Sequence, residues 1–538
     1  MASFGALNWA IVLAFLAANL LLGWRLSRRV LTSREFHLGS ASTPWWAVGL
    51  SVVATYVSAL SFLGAPAWAY SNGLSALAIH LNYPIVIVIV VTFFLPFFYL
   101  SGVASIYDYQ ERRFGPTSRA VISLIFLVTQ ALSTAAILYA TALVIRFMTG
   151  MEVWHAIILV TLLALAYTAM GGMLAVIWTD VFQAIVLFGG ALVILWALLD
   201  ASPVSPLETL SALKAAGRLS AIDTSFDFTK VTTIWAGLLA MTVFHVTVYG
   251  GNQMMVQRTL GARSIGEAKK SYIMMGFAAF PIYFMFFLIG VLAWGHYGGR
   301  PFDNPNEIIL TFAGETGIPG LPGLLAAAVL AASMSTLSSA FNSMATATTI
   351  DFWQRFLRPG ASDGAQLAAT RWFTAMWAVL IIIPAIAYTR SEGSILEVLS
   401  RIGSYFVGAK LAMYVLGFFS KHMSERSLLI GVAAGFIAIW LAATQTEIAW
   451  PWYAVIGSAV NILVALAASF AFDPRRAAWP AWSIPGLLAN RAGDAAPDAE
   501  GWQTLPGQLD KASRPLLLYF VATILLLIAL EALVPVAR

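Results

Sequence analysis

The segment "AASMSTLSSAFNS", residues 331–343, packs six hydroxyls and a carboxamide between the apolar runs "PGLPGLLAAAVL" and "MATATTI". On a helix, Ala332, Ser335, Thr336, Ser338, Ser339, Asn342 and Ser343 fall within an arc of roughly 160°, with Met334, Leu337, Ala340 and Phe341 on the other side. Two chemistries suit such a stripe. Small and hydroxylated residues let membrane helices approach closely. Hydroxyls and freed backbone carbonyls can also replace the water around a hard cation such as Na⁺. Asp180, in "GGMLAVIWTDVFQAIVLF", is an acidic residue several positions inside an apolar run. An ionised carboxylate there is costly and marks a site that needs a proton or a cation, unless it caps a helix near the interface. Lys410 and Arg401 lie in "SRIGSYFVGAKLAMYVLGFF". Nine positions put them about 180° apart on a helix, so they do not face one small ligand; Lys410 suits either a substrate carboxylate or a structural partner.

The elements that position these groups are membrane helices. The chain has 538 residues, 60% hydrophobic and 10% charged, against about 25% charged in soluble domains. Apolar runs of spanning length, about 20 residues, occur at 7–27, 43–72, 76–100, 118–148, 153–171, 174–199, 232–257, 272–296, 318–350, 371–389, 395–420, 427–444, 450–472 and 515–535. The first is an anchor rather than a signal peptide, because its basic cluster "RLSRR" follows the apolar run instead of preceding it. With 25–35 inside, alternation places 21 of the 30 Lys and Arg on the inner side. That bias predicts both termini outside, in a cell inner (plasma) membrane. There are no cysteines, which excludes disulfides and thiol chemistry.

Two spans are interrupted. The second carries Gly64-Ala65-Pro66 and the seventh Gly250-Gly251-Asn252-Gln253. Breaks five spans apart predict two inverted repeats with a site at their interface, since unwound backbone at membrane depth must line a cavity or lie within protein. Packing is the other use of Gly and Pro in such helices.

Four blocks, "SVVATYVSALSFLGAPAWAYSNG", "SIYDYQERRFG", "YTAMGGMLAVIWTDVFQ" with "YGGNQMMVQRTL", and "AASMSTLSSAFNS", resemble the sodium/solute symporter family over roughly residues 5–475. That family includes carriers of sugars, proline, sialic acid, monocarboxylates, vitamins and iodide. The resemblance implies an all-α, LeuT-like fold of two inverted five-helix repeats with flanking helices, about fourteen spans in all. It divides the chain into a leading helix and loop (1–42), a first repeat (43–200), an outer loop (201–231) and a second repeat (232–421). Two further helices (422–472), a flexible cytoplasmic linker (473–514) and a last helix (515–538) follow. It also implies a first sodium site from the carbonyls of Ala54, Val57 and Ala332 and the hydroxyls of Ser335 and Thr336. A second would use Asp180, Ser338 and Ser339, so one or two Na⁺ ions are co-transported. Beside the first break, Tyr56, Ser58 and Ser61 should line the solute cavity, with His245, Gln130 and Lys410 as further candidates; a packed, hydrogen-bonded role also suits His245. Lys410 departs from the family, which is apolar there.

The expectation is a sodium-coupled symporter importing a small organic anion such as a monocarboxylate, because "SALSFLGAP" and "YGGNQ" look most like the monocarboxylate, vitamin and iodide branch. Uptake of a sugar, sialic acid or amino acid is the alternative. A sensor lacks its kinase in this sequence, and an uncoupled facilitator would ignore a sodium gradient. An enzyme has little support, since the six histidines form no metal-ligand spacing. The partners expected are the solute, sodium ions and the bilayer, with no nucleic acid and no obligatory protein partner.

Overall fold

Every one of the fourteen apolar runs folds as helix in the computed structural model, which describes residues 4–27, 43–101, 105–390, 394–491 and 497–535. Most of the basic segment 25–35 lies outside the described residues. In chain order the helices that matter are α1 (Ala6–Ser27), α2 (Trp45–Tyr56), α3 (Ala65–Asn72), α4 (Pro116–Thr149) and α5 (Val153–Asp200). The second half adds α6 (Met241–Gly250), α7 (Gln253–Leu260), α8 (Ile265–Tyr297), α9 (Leu321–Ala347), α10 (Asp363–Leu380) and α11 (Ile395–Phe419). Last come α12 (Glu425–Gln445), α13 (Pro451–Phe472) and α14 (Arg514–Leu533). Among the described residues, eleven helices are long and apolar enough to cross a membrane, and Trp45–Tyr56, Val153–Ala166 and Ala236–Gly250 are shorter apolar ones.

One expected boundary is absent. The backbone stays helical through Gly171-Gly172, so the runs 153–171 and 174–199 belong to one helical segment of 48 residues. Glycine is tolerated in such a helix.

The first interruption also sits elsewhere. The α2 ladder stops at Val57 N–H donating to Val53 O (3.0 Å) and resumes with Ser61 and Phe62 N–H on Ser58 O (3.0 and 3.1 Å). Gly64-Ala65-Pro66 is helical: the wide turn of Leu60–Gly64 runs straight into α3, and that local widening accommodates the N–H that Pro66 lacks. Gly64 serves packing: a Cβ there would lie 2.8 Å from Leu396 Cβ. The second interruption is where the sequence places it. α6 ends at Gly250, Asn252 is extended, and its side chain caps α7 by accepting from Met254 N–H (2.9 Å).

α9 is buried along nearly its whole length. α1 packs on the α5/α9 side: Phe15 stacks on Phe182, Gln183 donates to Asn19 Oδ1 (2.8 Å), and Asn8 Oδ1 accepts from Gly323 N–H (3.0 Å). α14 packs on the other side, where Tyr519 donates to Phe277 O (3.0 Å) and Leu516 sits over Gly276.

α8 and α3 touch backbone to backbone. A Cβ on Gly290 would come within 2.2 Å of Pro66 O, and backbone cannot swing aside. Overpacking of this kind costs about 1–3 kcal/mol, so Gly290→Ala should lower the melting temperature of the purified protein by several degrees, measured by differential scanning fluorimetry. An unchanged melt would mean that α3 and α8 separate freely.

The stretch 473–514, expected to be a flexible linker, is folded over much of its length. Asp510 and Lys269 form a buried ion pair (2.6 Å), Lys269 also donates to Gln503 O (2.8 Å), and Gly507 N–H donates to Thr92 O (2.8 Å). Trp502 covers Gly266. Its Pro/Ala/Asp composition hides a strap held by single polar contacts to α8 and to the 83–101 helix.

Candidate ion and solute site

The first break brings α2 and α9 together. Ending α2 at Tyr56 leaves the carbonyls of its last turn without ladder partners. Thr55 O is taken by Thr336 Oγ1 (3.0 Å), which also bonds Ala332 O (3.1 Å). Ser335 Oγ is fully buried, makes no hydrogen bond of ordinary geometry and lies within reach of the Asp180 carboxylate. Of the residues assigned to the first sodium site, Thr336 and Ala332 on α9 are thus tied to the Thr55 carbonyl, which Ala54 and Val57 flank at the end of α2. Hydroxyls beside the carbonyls of a helix end are oxygens of the kind that can replace water around a small cation.

Asp180 lies one turn away, fully buried on α5. It accepts from Ser51 Oγ (2.6 Å) and Thr55 Oγ1 (3.3 Å). It also pairs with a residue that the sequence analysis did not single out. Arg258, on α7, is buried and sends Nη1 to Asp180 Oδ2 (3.3 Å), Ser51 O and Ser51 Oγ (both 2.7 Å) and Thr55 Oγ1. Its Nη2 donates to Ser339 Oγ (2.9 Å) and Met254 O (3.3 Å). Asp180 and Ser339, assigned to a second sodium site, do meet, but around a guanidinium. Ser338 turns its hydroxyl back onto Ser335 O (3.0 Å). The signal for Arg258 was present in "MVQR": six residues after the helix-capping Asn252, arginine is carried back toward the core.

The solute candidates separate into three places. Tyr56 and His245 meet, with Tyr56 Oη 3.2 Å from His245 Nε2, and Ser61 Oγ reaches Tyr283 Oη (3.1 Å). Around them stand residues the sequence reading did not single out. Tyr83 bonds Tyr56 and His80 Nδ1 (2.7 Å), His80 stacks on Tyr283 (3.7 Å), and Tyr249 packs on Tyr56 (5.0 Å). Ser58 instead accepts from Leu60 N–H (3.2 Å) and shapes its own turn. Gln130 belongs to the second break, accepting from Asn252 Nδ2 (3.4 Å). Lys410 is buried on the face of α11 whose Gly403, Val407 and Tyr414 meet Phe244, Thr247 and Gly251. Those three residues lie on the side of α6 opposite His245 and Tyr249, so Lys410 sits behind α6 from the Tyr56 cluster. Arg401 is exposed.

Two broken helices at the centre of a bundle, with hydroxyl and carbonyl oxygens at one break and a polar aromatic cluster beside it, are the framework that secondary active transporters share. Residues 36–435 match the sodium:solute symporter family, to which this chain belongs. It is 28% identical to the sodium/sialic acid symporter SiaT of Proteus mirabilis over 88% of this chain and 97% of that protein. It is also 28% identical to the sodium-coupled monocarboxylate transporter 2 of Bos taurus over 77% and 68% of the two chains. The sodium-dependent multivitamin transporter of Oryctolagus cuniculus is 30% identical over 73% and 63%. In three dimensions the chain resembles the substrate-bound outward-open sodium-coupled sialic acid symporter, with a TM-score of 0.82 at 28% identity over 88% of this chain and 100% of that one. It also resembles Mhp1, at a TM-score of 0.56 and 15% identity over 80% and 92%, which bears on the fold alone. The fold is LeuT-like, as the resemblance implied.

Proposed function

We propose that the chain is a sodium-driven importer of a small organic anion, working by alternating access. The meeting of α2 and α9 at the first break carries the sodium half. In this reading the Ala54, Val57 and Ala332 carbonyls and the Ser335 and Thr336 hydroxyls give a cation five neutral oxygens, with the buried Asp180 carboxylate beside them. Uptake by proteoliposomes under an inward sodium gradient, against potassium and against no gradient, tests it. Gradient-independent uptake would leave only a facilitator. Ser335→Ala and Thr336→Ala should each raise the half-saturating sodium concentration about tenfold, a loss of about 1.4 kcal/mol, while the protein still inserts. Unchanged sodium dependence in both variants would reduce the stripe to helix packing.

The anion half rests on Lys410, a buried ammonium with no carboxylate within ion-pairing distance among the described residues. A buried cation of this kind needs a counter-charge, which a substrate carboxylate supplies. Similarity to sialic acid and monocarboxylate carriers agrees with this reading. A neutral solute is favoured by one observation: the hydrogen-bonded cluster around Tyr56 and His245 contains neither a carboxylate nor a cation. The orientation belongs to the same proposal: Asn8 meets Gly323 in the first turn of α9, Ser211 donates to Pro535 O (2.7 Å), and the Lys/Arg bias of the sequence supports reading both termini as outside.

A further inference from the structure

Beyond its oxygen stripe, α9 runs on into a wide-turned helix, Thr348–Leu357, at the Lys/Arg-rich segment 351–371. The polar side of this helix is held inward. Asp351 accepts from Arg119 Nη2 (2.7 Å), Ser105 Oγ (2.8 Å) and Ser123 Oγ (2.9 Å), and Arg355 pairs with Glu111 (2.6 Å). The apolar side is left outward: Phe356 is 52% and Leu357 71% exposed, and Trp372 on α10 is 65% exposed. An amphipathic helix of this kind lies with its apolar side in the boundary between headgroups and acyl chains, the level at which tryptophan collects.

Between this helix and α10 runs a groove of about 890 Å³, within the size range of built ligand sites. Arg358 stands at one end, and the groove continues over Trp353 and along α10 past Ala365, Ala369, Phe373 and Met376. Its walls are tied together. Thr370 Oγ1 donates to Thr349 Oγ1 (3.0 Å) and Trp377 Nε1 to Thr348 Oγ1 (2.8 Å). The turn that carries Arg358 is set by its own N–H on Trp353 O (2.8 Å) and by Gly360 at φ +76°. Arg358 is exposed, and its side chain makes no ion pair or hydrogen bond among the described residues. No carboxylate lines the groove; Asp363, in the first turn of α10, stands outside it. The groove therefore offers one cation at its mouth and alkyl and aromatic surface along the rest.

We propose that this groove holds one anionic glycerophospholipid, its phosphate on Arg358 and an acyl chain along α10. A net negative headgroup is what an unpaired cation at the membrane surface selects, whereas a zwitterionic one brings its own ammonium to the guanidinium. A soluble phosphate ester would leave the apolar run uncovered. The site is separate from the sodium and solute residues.

The test uses the full-length protein, stripped of lipid in detergent and titrated with phosphatidylglycerol or phosphatidylcholine of the same chain length, the bound lipid being counted by native mass spectrometry. The first phosphatidylglycerol should bind about fivefold tighter than the first phosphatidylcholine, the effect of one cation beside an anionic headgroup. Arg358→Gln should level the two lipids, and Arg358→Lys should keep most of the preference. Arg475→Gln, which removes an exposed charge elsewhere on the Lys/Arg-rich side, should change nothing. Ala368→Trp, which fills the groove from an exposed position, should weaken binding of both, with a cooperative melt of each variant checking its folding. Equal binding of the two lipids, no retained lipid of either kind, or a preference that survives Arg358→Gln would overturn the proposal. So would displacement of the lipid by glycerol 3-phosphate, which would make this a site for a soluble anion. A dimer that Ala368→Trp dissolves, with lipid binding unchanged, would put a second copy of the chain in the groove instead.

Discussion

Arg258→Gln should cost about 3–5 kcal/mol of stability, the penalty for removing one partner of a buried ion pair and stranding the other. Asp180→Asn should cost a similar amount, because the guanidinium would then be buried among hydroxyls and carbonyls alone. The double variant should be far less damaged than the sum, since it strands no charge. A double-mutant cycle on thermal or denaturant unfolding reads this coupling. Sodium sharpens the experiment. In Arg258→Gln, Asp180 keeps Ser51, Thr55 and Ser339 around it, and a cation taking the vacated place would stabilise the fold by mass action. The melting temperature of that variant should rise with sodium more steeply than the wild type's. Additive losses, or a sodium response equal to wild type, would mean that Asp180 and Arg258 are independent structural groups.

Lys410→Met should weaken binding of an organic anion about tenfold to hundredfold, because a charge-assisted hydrogen bond contributes about 1.5–3 kcal/mol. Methionine keeps length and apolar volume, and sodium binding at the first break should be nearly untouched. Titration of the anion, with sodium affinity measured in parallel, separates the two effects. The side of α11 on which Lys410 lies sets a condition: the anion must be reached from the face of α6 that carries Phe244 and Thr247, rather than through the Tyr56 cluster. A sugar or zwitterion bound best, with Lys410→Met transporting it normally, would sink the anion reading and leave only the symporter.

The apolar runs, the hydroxyl stripe of α9 and Asp180 were legible because each is a local pattern: a length, a helical period, one charge out of place. The break at Val57 was not legible. Gly64-Ala65-Pro66 looks like a helix breaker, yet the wide turn before Pro66 keeps the helix going, while the break falls at Val57 and Ser58, where no breaking residue stands and Thr336 of α9 takes the neighbouring Thr55 carbonyl. Arg258 was hidden for a related reason: in one dimension it belongs to a basic loop, and only the turn at Asn252 swings it under α2. His80, Tyr83, Tyr249 and Tyr283 come from three separate helical spans, so nothing in their spacing announces a cluster. The strap at 497–513 has the composition of a linker, and it is held by scattered long-range contacts, the buried Lys269–Asp510 pair, Lys269 on Gln503 O and Gly507 on Thr92 O.

The seating of the first and last helices has a practical use. α1 is bonded to α5 and α9, whereas α14 is bonded to α8 and lies near the 83–101 helix. If carriers of this architecture rock one helix group against the other, Asn19 and Tyr519 ride on different rigid bodies. The chain has no cysteine of its own, so one thiol near each helix could be spin-labelled without first stripping native ones. The label-to-label distance distribution would then follow the rocking motion directly, as a ruler spanning the two halves, with sodium and solute added in turn.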